Sequence, residues 1–253
     1  VLDPWVIAAI AVIVLLGAGL QGAVGFGMGL VAVPLLLFSG RTLPEAVAVL
    51  LGAGLLQTAY GAWLCRREIP WKQTASLAAV QWVAVPVGVM GMGLLAAAGP
   101  AVVKQVVGAI VIGLLILRAV LRPKPRDSVG TGWGVVASVA SGLLAGLVGM
   151  GGPPIVLYAL AHDWEKDTFR GFLFATFLLV LPTAGVALAW RMGVQVLGWT
   201  VVGAAMFPAV VVGSKVGFGV SKRWDAATMR RVATGLLVVI AGWSLIGPFV
   251  TSG

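Results

Sequence analysis

The chain has 253 residues, 60% of them hydrophobic and only 10% charged, with a formal net charge of +9 and mean hydropathy +1.07. That much apolar surface excludes a water-soluble domain of this length and leaves an all-α polytopic membrane protein in a lipid bilayer. The 17 Lys and Arg sit in short clusters between apolar runs, which fits membrane topology and not the continuous basic face that a nucleic-acid partner requires.

In chain order, Val1-Leu-Asp3 carries no basic segment and the apolar run after it is too long for a signal-peptide core, so it reads as retained structure. Eight apolar stretches follow: 4–40, 46–65, 73–103, 105–117, 128–162, 171–190, 192–214 and 232–253. The first, if wholly helical, would reach about 55 Å against a hydrocarbon core of about 30 Å. It and the fifth carry glycine-rich breaks, Gly22-Ala-Val-Gly25-Phe-Gly27-Met-Gly29 and Gly146-Leu-Val-Gly149-Met-Gly151-Gly152-Pro153-Pro154. Unwound backbone survives in a membrane only where it is buried in protein or lines a polar cavity. Paired breaks at matching places in two halves point to a transporter's binding site.

The halves match in order. A shift of 124 residues superposes Gly22, Gly25 and Gly27 on Gly146, Gly149 and Gly151. Each half reads as a broken run followed by three ordinary spans, giving two membrane repeats, 1–121 and 132–253, joined by a basic linker at 122–131. Charge counting chooses between topologies. If each broken run crosses once, basic residues divide eight against eight; if each returns to the side it entered, they divide thirteen against three, Arg41, Lys104 and Arg191, with Lys215 near a span end left uncounted. The positive-inside rule favours the second arrangement, with inverted repeats, both termini outside and the linker in the cytoplasm. Two short full spans per broken run give the same loop sides. Trp5, Trp63, Trp71, Trp133, Trp190 and Trp224 near run ends suit interfacial aromatic belts.

At the two breaks, with Val33-Pro34 following the first and Tyr158 the second, the chain resembles the sulfite exporter TauE/SafE family of membrane transporters. The resemblance covers nearly the whole chain. It implies a multi-pass protein of the bacterial cytoplasmic (inner) membrane that exports a small sulfur-containing anion, sulfite or an organosulfonate such as sulfoacetate. A channel-like anion facilitator and a non-transporting assembly subunit are the alternatives. A related-looking class of thiosulfate importers relies on several cysteines, whereas this chain has one, Cys65, at a segment end.

The candidate substrate-binding residues are Gly25, Phe26, Gly27 and Gly29 at the first break and Gly149, Met150, Gly151 and Gly152 at the second. Glycines let successive N–H groups converge and helix N-termini carry partial positive charge, so an oxyanion can be held without a cationic side chain. Close helix packing is the competing reading, since Gly25 and Gly29 are four apart. Gln21 and Tyr158 flank the breaks. Gln57, Gln81 and Thr176 are polar groups within spans that either contact substrate or tie helices together. No carboxylate falls within a span, no metal centre or cofactor is expected, and one His, one Cys and no acid pair give no enzyme. The lipid-facing surface leaves room for a homodimer.

Overall fold

The computed structural model describes residues 3–121, 129–225, 227–229, 231–232 and 235. The linker residues 122–128 and most of the last apolar stretch lie outside these. The described elements are helical: α1 (Pro4–Val24), α2 (Met28–Phe38), α3 (Leu43–Leu64), α4 (Trp71–Ala97), α5 (Pro100–Leu121), α6 (Thr131–Val148), α7 (Gly152–Leu160), α8 (Lys166–Met192), a 3-10 turn (Val194–Val196), α9 (Leu197–Ala205) and α10 (Phe207–Ser221). Five are long and apolar enough to cross a membrane, and the pair 194–205 and 207–221, bent by 52°, brings the number to six when counted as one span.

Local sequence explains the boundaries. Asp3 caps α1 by accepting from Trp5 N–H at 2.9 Å, with Pro4 in the first turn where no N–H is needed. Thr42 N–H donates to Glu45 Oε2 at 2.9 Å and starts α3 with Pro44 behind it. Within α8, Pro182 removes a backbone donor, and one turn earlier the Leu179 carbonyl accepts from Trp82 Nε1 of α4 at 2.9 Å. The span that reads as ordinary at 192–214 is instead broken at Met206, just before Pro208.

Helix directions follow from which residues meet. Gly171 of α8 lies against Cys65 just past α3, and Gly185 faces Leu51, so α3 and α8 run antiparallel. Trp82 reaches Leu179 and Gly93 lies beside Arg191, so α4 runs parallel to α8. Gly142 and Gly146 of α6 nest against Gln81, Val85 and Gly88 of α4, and Gly213 and Gly217 of α10 nest against Leu15 and Gly19 of α1. Both pairs are parallel. In lipid there is no hydrophobic drive between helices, so such small-residue seams, where backbones touch, supply the packing.

We take the end at which α3 starts as the upper end. α6 rises from the lower end, and α7 folds back along it, with the Tyr158 ring beside Gly134. α1 descends from the upper end, and α2 starts beside Gly17 and climbs back toward α3. At 11 and 9 residues, α2 and α7 reach only about 16 and 14 Å, too short to cross the core. Each broken run is therefore a long leg and a short return leg. Trp5 and Trp190, 83% and 76% exposed, mark the upper rim, and Trp63 and Trp71 the lower, as amphipathic rings do at the two membrane interfaces.

Candidate functional site

The first break is built by two left-handed glycines. α1 stops at Gly25, φ 89°, whose N–H returns to Gln21 O at 2.7 Å, and α2 begins after Gly27, φ 109°. A residue with a Cβ would be strained by about 1–2 kcal/mol in such a conformation. Between them Phe26 is fully buried. The first turn-closing bond of α2 runs from Val31 N–H to Gly27 O at 3.1 Å, so the N–H groups of Met28, Gly29 and Leu30 have no acceptor within the helix.

The second break uses a different device. α6 ends at Gly149, φ 71°, and α7 starts at once with Gly152-Pro153-Pro154, two of whose three residues have no N–H. The breaks touch. A methyl group built on Gly29 would lie 2.5 Å from Gly149 O, and one on Gly149 would lie 2.8 Å from Val47 Cγ2 of α3. Phe26 borders Gly152.

Around this crossing lies a cavity of about 110 Å³ between both breaks, α3, α4 and α8. Of the candidate residues, Gln21, Gly27, Gly29, Gln81, Gly149, Met150, Gly151 and Gly152 line it, together with Met28, Leu30, Leu50, Leu51, Phe177 and Leu181. Its polar side chains are Gln21, Thr58, Gln81 and Ser141, and none of its lining residues is charged. Thr58 donates to Gly54 O of its own helix at 2.7 Å. Ser141 Oγ lies 2.9 Å from Gln81 Oε1 and 2.6 Å from Gly151 O and shares its one proton between them. That leaves Gln81 Nε2, buried, with no partner. Such an orphaned donor costs free energy that a bound acceptor would recover.

The other candidates sit elsewhere. Gln57 Nε2 donates to Ala18 O at 2.7 Å and ties α3 to α1. Thr176 Oγ1 donates to Phe172 O of its own helix at 2.7 Å. Gly25 packs on Arg170, and Phe26 is not among the lining residues. Tyr158 belongs to the foot of the second hairpin, where its hydroxyl accepts from Gln73 Nε2 at 2.6 Å, with His162 stacked on Trp164 beside it.

Two residues escaped the sequence reading. Ser141 is a hydroxyl ten residues before Gly151 in an apolar span, and only the fold-back of α7 brings the two together. Arg170 reads as a loop cation, yet it is 3% exposed and the only buried Lys, Arg, Asp or Glu among the described residues. Its Nη2 donates to Gly22 O and its Nη1 to Ser221 Oγ, both at 3.1 Å, and its guanidinium covers the Phe218 ring. One cation thus meets the negative C-terminal ends of α1 and α10. The signal for it was apolar neighbours, Phe169 before and Gly171-Phe172 after.

Comparison with known proteins identifies the family. The model of the sulfite exporter TauE/SafE family matches residues 9–243. The chain belongs to that family. A probable sulfite/organosulfonate exporter TauE of Cupriavidus necator H16 is 29% identical over 246 residues, covering 94% of this chain and 93% of that protein. No solved structure matches. Membership of the TauE/SafE family makes the chain a multi-pass bacterial membrane transporter and not an enzyme.

Proposed function

We propose that the protein exports a small sulfur-containing anion, sulfite or an organosulfonate, from the cytoplasm by alternating access at the cavity between the two hairpin tips. The observation that carries this is the cavity itself, lined by the unwound glycines of both halves and by Gln81, whose Nε2 has no partner. The family and the Cupriavidus relative support the cargo class. The halves 1–121 and 132–253 act as inverted repeats. In support, α3 and α8, which occupy corresponding places after each break, run antiparallel, and the seam of α4 with α6 has its counterpart in that of α10 with α1.

The lower end faces the cytoplasm. Arg66, Arg67, Lys72, Lys166, Lys222 and Arg223 cluster there, whereas the upper end carries Arg41, Lys104 and Arg191. An inside-negative potential then drives an anion outward by about 2.3 kcal/mol per charge per 100 mV. No carboxylate lines the cavity, and the cycle runs on the anion gradient and the potential without a buried acid. The test is efflux of labelled sulfite and organosulfonates from liposomes holding the purified protein, with a potassium-valinomycin potential of either sign. Potential-dependent flux is expected. Absence of flux under both signs, with folding verified, would overturn the proposal in favour of an assembly role.

A further inference from the structure

Charge at the cavity is set by what its walls lack. The lining comes from α1, α2, the first and second breaks, α3, α4, α6, α7 and α8, and among the described residues it contains no Lys, Arg, His, Asp, Glu, Cys or Tyr. The one buried cation among the described residues, Arg170, is not part of the lining and is already engaged by the ends of α1 and α10. Attraction for an anion comes from neutral groups: the N-terminus of α2, worth about half a positive charge, and the amides of Gln21 and Gln81. The unpartnered Gln81 Nε2, in a side chain 1% exposed, is the second, independent sign of a missing acceptor.

A dianion is badly served by such walls. The cost of desolvating one ionic centre rises with the square of its charge, so a doubly charged centre costs roughly four times, and two separate charged groups roughly twice, what a single charge does, while the donors available stay the same. We infer that the site takes singly charged oxyanions: sulfite is carried as hydrogen sulfite, and organosulfonates only where the sulfonate is their sole net charge. This rests on the transport reading above and narrows its cargo. Sulfoacetate, with a carboxylate beside its sulfonate, and sulfate fall outside the class. One negative charge moves per cargo.

The second ionisation of sulfurous acid lies near neutral pH, whereas methanesulfonate is a monoanion throughout, so pH separates the two. In proteoliposomes at equal pH on both sides, with the potential clamped and protein-free vesicles subtracted, flux is measured from about pH 6 to about pH 9 at fixed total anion. Sulfite flux is expected to fall by about tenfold per pH unit above that ionisation, while methanesulfonate flux changes less than about twofold. Titration of protein groups such as His162 would act on both anions alike. A parallel fall of both fluxes, or a sulfite flux that holds as pH rises, would overturn the inference. So would competition by excess sulfate against methanesulfonate. Absence of flux for both anions would instead remove the transport reading and this inference with it.

Discussion

The two breaks reach one geometry by unlike means. The first places two left-handed glycines around a buried Phe26 and leaves a run of N–H groups without an acceptor inside the helix at the start of α2. The second uses one left-handed glycine and then Pro153-Pro154, which shape the turn but remove donors. Its polar contribution comes through Ser141, which holds the Gly151 carbonyl from outside, and through Gln81, whose Oε1 accepts from Ser141. The contrast teaches that pseudo-symmetry in the scaffold does not extend to the ligand: the first break supplies attraction for an anion, the second mostly supplies form.

Four substitutions or conditions would break or sharpen that contrast. The largest effect is expected where the breaks touch. Gly29→Ala drives a methyl group toward Gly149 O at 2.5 Å, so the tips must separate, and flux should drop by about a hundredfold in the liposome assay while the protein remains extractable as a single species. Next, Gly27→Ala and Gly149→Ala both introduce backbone strain of about 1–2 kcal/mol, and the methyl group at Gly149 also meets Val47 Cγ2 at 2.8 Å. Adding Val47→Ala should recover part of the melting temperature lost in Gly149→Ala and none of that lost in Gly27→Ala; equal recovery would refute the distinction.

Gln81→Leu removes a donor worth about 1.5–3 kcal/mol when its partner is charged. It should raise the KM for methanesulfonate by about tenfold or more, with kcat nearly unchanged, whereas Thr176→Ala, whose hydroxyl bonds within its own helix, should leave both alone. The smallest effect concerns the foot of the second hairpin. Burial pushes the His162 pKa below its ordinary value, against a smaller upward pull from the Tyr158 carbonyl. The fold therefore holds the neutral ring, and its contribution is present above about pH 6.5 and lost as pH falls below that. Melting temperature should decline on acidification, and His162→Gln should flatten the decline.

Much of this architecture was legible in the chain because membrane folding makes it so. Long charge-free runs, and breaks that lipid tolerates only inside protein, are written directly in residues such as Gly25-Phe26-Gly27 and Gly151-Gly152-Pro153-Pro154. Which atoms of a break face the cavity was not legible. Gly25 and Phe26 are as conspicuous as Gly27 and Gly29, yet the left-handed turns aim the first two at Arg170 and Gly152. Polar residues in spans were equally mute about direction: Gln57 and Gln81 read alike, and only helix rotation sends one to a carbonyl of α1 and the other to the cavity. Arg170 was hidden because a cation near a charge cluster normally stays wet, and its partners are helix ends far away in sequence.

The bend at Met206 makes the two flanks of the scaffold unequal in shape. On one flank α4 is a single 27-residue rod seamed to α6, so the second hairpin is mounted on a strut. On the other flank the corresponding span is an elbow of 52°, and its lower arm, α10, is bound to α1 along a glycine seam and again through Arg170. The first hairpin is thus mounted on the bent flank, together with the donors of α2.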